Sequence, residues 1–243
     1  MTEHNGPRLI ALWSAPRCRS TAFMRMMAER GDFLVVHEPF SHVADFGAAE
    51  VAGRRVGSEA ELIALLRELS LEQPVFFKDT TDFRYPGLLA DQAFLAEVSH
   101  SFILRHPREA IASHFALNPE LSRDEIGFAL LAEIFDAAVA AGRQPVVVDS
   151  DDLLALPERT VEEYCARVGI PFLEQALSWR PGMREEWRRT ERWHRSASET
   201  SGFQRVAAAY SSTPENHPLL ADYLDFHLPY YERLMAHRMT VTP

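Results

Sequence analysis

Two arginines and two hydroxyl-bearing residues stand close together near the start of the chain. Arg17 and Arg19 follow an apolar run, and Ser20 and Thr21 come directly after them. A helix start offers unpaired backbone N–H groups and the positive end of the helix dipole, and guanidinium groups bind phosphate or sulfate through charge-assisted hydrogen bonds. A solvated turn capped by Ser20 or Thr21 is the alternative. Two arginines in one such segment favour a site for a phosphate or sulfate group.

Polar side chains also follow three further apolar runs. His37 and Glu38 follow one run, and Arg105 follows another. Lys78, the only lysine of the chain, follows a third. Ligands of open α/β sheets bind beyond the carboxyl ends of the strands. We therefore expect these side chains and the arginine-bearing loop to lie at one edge of a sheet.

Five short apolar runs alternate with helical patterns along the 243 residues. The first begins at Leu9, and the others lie at residues 33–36, 74–77, 101–104 and 145–148. Continuous apolar runs separated by helices are typical of a mostly parallel sheet that helices cover on both faces. Since the sequence shows no repeat or linker, we expect one three-layer α/β domain over residues 1–243, with a central five-stranded sheet.

The helical patterns give approximate boundaries. Helices are predicted at about residues 20–29, 58–69, 88–98, 107–116, 124–141, 157–168 and 218–238. The last one is expected to bend or break near Pro229. Residues 41–57 show no clear period, so an irregular segment that covers a site is expected there. The C-terminal third carries three tryptophans among many charged residues and is expected to form a helical lid.

Composition and charge limit the classes of partner. A net charge of −10 argues against a generic surface for nucleic acid or anionic membranes. The first residues lack the apolar core of a signal peptide, and no run is long enough to span a bilayer. Two cysteines are too few for a disulfide framework or a zinc site, and the histidines lack metal-ligand spacing. We expect a cytoplasmic monomer or homodimer that binds no metal, no nucleic acid and no membrane.

The loop after the first apolar run differs from the phosphate-binding loop of nucleoside triphosphatases. That loop needs two glycines and a lysine, whereas residues 14–21 contain neither residue type. The segment fits a shorter anion that side chains and a helix start can hold. A small-molecule kinase of the same broad fold and a non-catalytic nucleotide-binding protein remain as alternatives. Preference for ATP with magnesium would support the kinase.

Two segments resemble motifs of the PAPS-dependent sulfotransferases, which use 3′-phosphoadenosine-5′-phosphosulfate (PAPS). Residues 16–21, Pro-Arg-Cys-Arg-Ser-Thr, resemble the first loop of that family, which commonly reads Pro-Lys-Ser-Gly-Thr-Thr. Arg17 replaces its lysine, and Arg19 replaces its glycine. Arg105, with a proline two positions later and Ser113 eight positions later, resembles the second motif. The resemblance is to the bacterial small-molecule and carbohydrate-type branch and implies a P-loop-like fold.

The resemblance also implies roles for the residues of both motifs. It places Arg17, the backbone of Cys18, Arg19, Ser20 and Thr21 on the 5′-phosphosulfate, and Arg105 and Ser113 on the 3′-phosphate. PAPS would be the co-substrate and PAP (3′-phosphoadenosine-5′-phosphate) the product, without a metal. The implied reaction is in-line transfer of a sulfuryl group to a hydroxyl of a small-molecule acceptor.

Sulfuryl transfer needs a base that takes the proton of the acceptor. Glu38 resembles the glutamate that several bacterial and carbohydrate sulfotransferases carry at this strand end, and we favour it over its neighbour His37. Adjacent strand residues point to opposite sides, so one of the two should face the site. Lys78 resembles a lysine of the carbohydrate branch that contacts the phosphosulfate. Its alternative is a solvated strand end paired with Asp79 or Asp82.

The acceptor pocket is expected to involve residues 41–57, residues 80–85 and the tryptophan-bearing tail. The aromatic residues of these segments are Phe40, Phe46, Phe83, Tyr85, Trp179, Trp187 and Trp193. They favour an apolar or ring-bearing acceptor, unless they form the core of the lid. Residues 196–203 resemble the late loop of the family that closes over the 3′-phosphate.

Overall fold

The computed structural model describes residues 6–205 and 209–242, and a parallel sheet lies at its centre. The strands are β1 (Leu9–Ser14), β2 (Leu34–His37), β3 (Ala49–Val51), β4 (Arg54–Val56), β5 (Val75–Thr80), β6 (Ser99–Leu104) and β7 (Val146–Asp149). Five of them form the central sheet in the order β2-β5-β1-β6-β7, and all neighbours are parallel. β3 and β4 form a separate antiparallel hairpin. The predicted five-stranded α/β fold is confirmed.

Helices cover both faces of the sheet. They are α1 (Ser20–Arg30), α2 (Pro39–Phe46), α3 (Glu59–Glu72), α4 (Pro86–Ala90), α5 (Gln92–Glu97), α6 (Pro107–Phe115), α7 (Phe128–Ala140), α8 (Ser150–Ala155), α9 (Pro157–Val168), α10 (Glu191–Ser198) and α11 (Pro218–Met235). Short 3₁₀ segments lie at Asp124–Ile126, Glu174–Leu177 and Glu185–Thr190. Within the described ranges, every helix is too short or too polar to cross a bilayer.

Strand β1 lies in the middle of the sheet and contributes to two apolar cores. Ala11 and Trp13 belong to the core on one face, and Ile10 and Leu12 belong to the core on the other. This alternation follows from the two-residue period of a strand. Helices α3 and α7 pack on the first face, whereas α1 and α9 pack on the second. Both faces are therefore closed, and the carboxyl edge of the sheet is the place left for a site.

Residues 41–57 are more regular than expected, so the prediction of an irregular segment is wrong. Helix α2 occupies the first part and the β3–β4 hairpin the second. The hairpin turns through Ala52 and Gly53, whose φ angles are 51° and 74°. Two left-handed residues form the turn that matches the twist of paired strands. Ala52 stands where Asn or Asp is usual, so the turn carries no clear sequence signal.

The helix predicted at residues 124–141 is divided. Gly127 has a φ of 87° and separates the 3₁₀ segment from α7. Thr81 approaches it closely, since the Thr81 hydroxyl donates a 2.8 Å hydrogen bond to the Gly127 carbonyl. The left-handed backbone of Gly127 therefore re-aims the chain beside the end of β5.

Two other helix boundaries also differ from expectation. Asp91 divides the predicted helix at residues 88–98 into α4 and α5, because its carboxylate accepts a 2.9 Å hydrogen bond from the Phe94 N–H and starts a new helix. Helix α11, by contrast, continues through Pro229, so the expected interruption is wrong. The carbonyl that Pro229 leaves unpaired belongs to Asp225. Both residues are exposed, so water can satisfy it.

Candidate active site

The loop between β1 and α1 presents unpaired backbone donors. Arg17 and Arg19 have φ angles of 67° and 68°, which are costly for residues other than glycine. In the described part of the chain, no acceptor pairs with the N–H groups of Ser20 and Thr21, which open α1. The left-handed turns thus hold a free helix start at the carboxyl edge of the sheet, where an anion is favoured.

The structure brings Arg17, Arg105 and Ser113 together from two distant parts of the chain. Arg17 Nε donates a 3.1 Å hydrogen bond to Ser113 Oγ, and Arg105 Nη1 donates a 3.2 Å bond to the Arg17 carbonyl. Burial and the neighbouring Arg105 charge lower the pKa of Arg17. All three side chains line one cavity of about 240 Å³. An anion placed there would relieve the repulsion between the two guanidinium groups.

The side chain of Arg19 is turned toward acidic residues. Its guanidinium bonds to Asp151 Oδ1 at 2.7 Å and to Glu109 Oε2 at 3.4 Å. Glu109 also binds Arg105, with an Nη2–Oε2 distance of 2.8 Å. The Arg19 charge is therefore already matched, and its backbone conformation is the feature that shapes the loop. Burial raises the pKa of the neighbouring Cys18 to about 11, which keeps that thiol protonated.

Glu38, which directly follows β2, forms a buried ion pair with Lys78 of the neighbouring strand β5. Lys78 is 1% exposed, and its ammonium contacts Glu38 Oε1. Burial alone would raise the pKa of Glu38, but the Lys78 ammonium and two imidazoles outweigh it and hold that pKa well below its usual range. Glu38 has a φ of 45° and precedes α2. The alternative of a solvated Lys78 paired with Asp79 or Asp82 is not what the structure shows.

His37 lies behind Glu38. Its Nε2 is 3.5 Å from Glu38 Oε2 and 3.2 Å from Nε2 of His194. Glu38 lines the cavity and His37 does not. Burial lowers the pKa of His37 well below its usual value, so its imidazole is neutral. The two base candidates are thus in contact, and the carboxylate is the one that faces the cavity.

Asp79 fixes the position of Glu38 indirectly, through helix α2. Its carboxylate accepts hydrogen bonds from the N–H of Phe40 at 2.6 Å, the N–H of Ser41 at 3.1 Å and the Ser41 hydroxyl at 2.6 Å. These are the free donors of the first turn of α2, so Asp79 caps that helix from the adjacent strand. Burial raises the pKa of Asp79 to about 7. Sequence reasoning considered Asp79 only as a partner of Lys78.

Helix α10 covers the cavity. The Trp193 carbonyl accepts a 2.6 Å hydrogen bond from Arg17 Nη1, and His194 Nδ1 lies 3.2 Å from Thr21 Oγ1. Both residues line the cavity, as do Gly202 and Phe203 beyond the helix. The expected C-terminal lid is therefore a short helix and the residues after it, held to the loop that starts α1.

Residues 8–238 match the family model described as Sulfotransferase domain. The chain belongs to this sulfotransferase domain family. Two Arabidopsis thaliana proteins are also similar, namely branched-chain-amino-acid aminotransferase-like proteins 1 and 2. They are 28% and 27% identical over 240 and 244 residues. The matches cover 95% and 94% of this chain and 42% of each Arabidopsis protein, so the chain spans less than half the length of these relatives.

Two solved sulfotransferase domains resemble the chain at low identity. The domain of the Synechococcus PCC 7002 olefin synthase is 15% identical, with a TM-score of 0.45 and coverage of 93% of this chain and 96% of that one. The domain of the curacin biosynthetic pathway is 14% identical, with a TM-score of 0.45 and coverage of 92% and 98%.

The seven aromatic residues predicted for the acceptor pocket of this sulfotransferase domain divide into two groups. Phe46, Phe83 and Trp193 line the cavity. The other four, Phe40, Tyr85, Trp179 and Trp187, are buried away from it. Phe203 and Tyr210, which lie outside the predicted set, also line the cavity, so five such rings are available as walls for an acceptor.

Three possible metal ligands of the sulfotransferase domain meet around Glu38. One ligand atom each from His37, Glu38 and His42 lies within 4.8 Å of the others. However, Lys78 already holds one Glu38 oxygen, and its positive charge opposes a cation beside it. The chemistry of the set fits a hydrogen-bonded carboxylate better than a metal centre. The expectation that no metal binds stays a prediction.

Proposed function

We propose that this sulfotransferase domain transfers a sulfuryl group from PAPS to a hydroxyl group of a small molecule. The observation that carries the proposal is the meeting of Arg17, Arg105 and Ser113 beside the unpaired start of α1. PAPS carries two separate anionic groups, on the 5′ and 3′ sides of its ribose. An anion site built from a helix start together with a second strand-end arginine matches that pattern of charge.

The two anionic groups would use different donors of this site. The free N–H groups of Ser20 and Thr21 suit the 5′-phosphosulfate, since they point from the helix start. Arg105 and Ser113 suit the 3′-phosphate, because the Arg105 guanidinium lies 3.2 Å from the Arg17 carbonyl and Arg17 reaches Ser113. Arg17 lies between both positions and serves either group.

The proposed chemistry is an in-line displacement at sulfur. The acceptor oxygen attacks the sulfur atom, the bond from sulfur to the bridging oxygen breaks, and PAP leaves with that electron pair. The proton of the acceptor hydroxyl passes to the Glu38 carboxylate. Lys78 stabilises the negative charge that grows on the leaving oxygen.

Lys78 also controls the basicity of Glu38. While the Lys78 ammonium contacts only Glu38, the pKa of the Glu38 carboxylate is too low for an effective base. A phosphosulfate beside Lys78 offers the ammonium a second anion. Its hold on Glu38 then weakens and the pKa of Glu38 rises. The base therefore becomes active when the sulfuryl donor is in place.

The cofactor is tested with a matched pair of arginine variants. Isothermal titration should show that Arg105→Ala weakens PAP binding by about 1.5–3 kcal/mol, or about 10- to 150-fold in Kd. Adenosine 5′-phosphosulfate, which lacks the 3′-phosphate, should lose little. Arg108→Ala is the control, because Arg108 is exposed and pairs with Glu215.

Turnover and nucleotide preference distinguish the proposed sulfotransferase from a kinase and from a non-catalytic nucleotide-binding protein. Mass spectrometry should detect sulfated products from a panel of hydroxyl compounds with PAPS. Equal losses for PAP and adenosine 5′-phosphosulfate in Arg105→Ala would refute the 3′-phosphate site. Tighter binding of magnesium ATP than of PAP would favour a kinase, and PAP binding without any turnover would favour a nucleotide-binding protein.

A further inference from the structure

Helix α10 places one buried imidazole between the anion-binding loop and the base. His194 is 2% exposed. Its Nδ1 lies 3.2 Å from Thr21 Oγ1, and its Nε2 lies 3.2 Å from His37 Nε2. The two ring nitrogens thus contact two different parts of the site, which arrive from different elements of the fold.

These contacts extend as far as the carboxylate. His37 Nε2 lies 3.5 Å from Glu38 Oε2, and the other oxygen of Glu38 contacts the Lys78 ammonium. An unbroken series of polar contacts therefore runs from the hydroxyl at the start of α1, through two imidazoles, to the proposed base. His194 is the member of the series that comes from the covering helix.

The imidazole of His194 is itself held in a fixed orientation. Thr190 Oγ1 lies 3.1 Å from Nε2, and the ring stacks on Trp187 with centroids 5.6 Å apart and an interplanar angle of 30°. The Trp187 side chain is fully buried. A ring fixed on two sides can in turn fix what its nitrogens touch.

We infer that His194 is a positioning residue that aligns the sulfuryl-binding hydroxyl with the base, a role that rests on the proposed function. Nδ1 orients the Thr21 hydroxyl toward the anion. Nε2 holds His37 against Glu38, so the carboxylate keeps its place in the cavity. Since α10 also places the Trp193 carbonyl on Arg17, the site is complete only when this helix is docked.

Three substitutions separate the two contacts. His194→Asn carries an amide near the position of Nδ1, His194→Gln carries one near Nε2, and His194→Ala removes both. His194→Ala should lower kcat about tenfold and weaken PAP binding severalfold. Asn should restore PAP affinity but not kcat, and Gln should restore kcat but not PAP affinity. Glu191→Gln, exposed on the same helix and outside the cavity, should leave both unchanged.

A second measurement reports the contact without relying on turnover. Nitrogen-15 NMR of the imidazole side chains should show the His37 Nε2 resonance moving in His194→Ala and His194→Asn and staying in His194→Gln. An unmoved resonance in all three, with equal losses of kcat and PAP affinity, would overturn the inference and make His194 a packing residue. Absence of PAP binding and turnover in the unsubstituted protein would instead overturn the proposed function, while the resonance still decides whether His194 orients His37.

Discussion

Glu38 and Lys78 are opposite charges held inside the protein, where each would be costly alone. Exposure is 9% for Glu38 and 1% for Lys78, so little water reaches either group. Removing one partner of such a pair leaves an uncompensated buried charge. In the proposed reaction, an incoming anion draws the Lys78 ammonium away from Glu38. The pKa of the Glu38 carboxylate then rises, so that it can accept the proton of the acceptor.

Replacement of Glu38 by glutamine tests the base directly. Glu38→Gln keeps the size of the side chain and removes its basicity. Turnover should fall about 10²–10⁴-fold, which is the usual contribution of general-base catalysis. PAP affinity should not fall, because the proposed role of the carboxylate is on the acceptor and its loss leaves the Lys78 ammonium free to contact the anion. Initial rates and isothermal titration, with circular dichroism as a check of folding, give the comparison.

His37→Ala is the competing test for the same role. Its effect on turnover should be smaller, since His37 lies behind the carboxylate and outside the cavity. Loss of turnover in a folded His37→Ala protein, with activity retained in Glu38→Gln, would reverse the two assignments.

The rule that ligands bind beyond the carboxyl ends of parallel strands predicted which strand-end residues meet at the cavity. Arg17, Glu38, Lys78 and Arg105 follow apolar runs, and parallel pairing brings those ends to one edge. The direction of the Arg19 side chain could not be predicted, because the acidic residues that hold it lie in the first turns of two distant helices, α6 and α8. His194 carried no signal, since its role depends on how the C-terminal third folds back.

Gly127 allows the start of α7 to pack against the ends of β1 and β5. A Cβ atom at this position would lie 2.6 Å from the Thr81 carbonyl oxygen and 3.0 Å from Pro16 Cδ. Thr81 in turn donates from its N–H to the Ser14 carbonyl at 3.0 Å. The junction before α7 therefore packs directly against the end of β1 and the loop that follows it.

Gly127→Ala should destabilise the fold by about 2–4 kcal/mol, because it adds a backbone clash to an unfavourable left-handed φ. Gly142→Ala is a matched control. Gly142 has a φ of 81° with no atom within 4 Å of the added Cβ, so its cost should be about 1 kcal/mol. Urea unfolding of both variants measures the difference. Equal losses would show that the contact with Thr81 adds nothing.

The boundaries of strands and helices could be predicted from the sequence where the burial of apolar residues decides them. They could not be predicted where one backbone dihedral angle decides them. The strands of the central sheet follow from unbroken apolar runs, which suit a sheet covered on both faces. Gly127 inside a helical pattern and Ala52 in a tight turn break their patterns through left-handed angles. Pro229 fails to break α11 because that side of the helix faces water.

Buried ionisable groups make the stability of the whole domain depend on pH in two opposing ways. Burial lowers the pKa of His100, His114 and His194 to about 4 each. The unfolded chain protonates these imidazoles first as the pH falls, so their contribution to stability is complete above about pH 6.5 and is lost toward pH 4. Burial raises the pKa of Asp79 to about 7. Asp79 therefore contributes fully to the stability of the fold below its ordinary carboxyl pKa, and that contribution is lost as the pH rises through 7.

Substitution of His100 isolates one of these responses. Trp13 Nε1 donates to His100 Nδ1 at 3.0 Å, and Nε2 lies 3.0 Å from the Leu95 carbonyl, so the neutral ring satisfies both partners. The stability advantage of the unsubstituted protein over His100→Gln should shrink by about 1–2 kcal/mol between pH 7 and pH 5. Urea unfolding at both pH values measures it. A constant advantage for His100 would contradict its low pKa.

A chain with one lysine has one side-chain amine, and here that amine lies inside the cavity. Acylating reagents, reductive methylation and amine-coupled surfaces meet no ε-amine on the outer face of the domain. Reductive methylation with an isotope-labelled methyl group would give one side-chain signal, from Lys78 beside Glu38, apart from the signal of the α-amine.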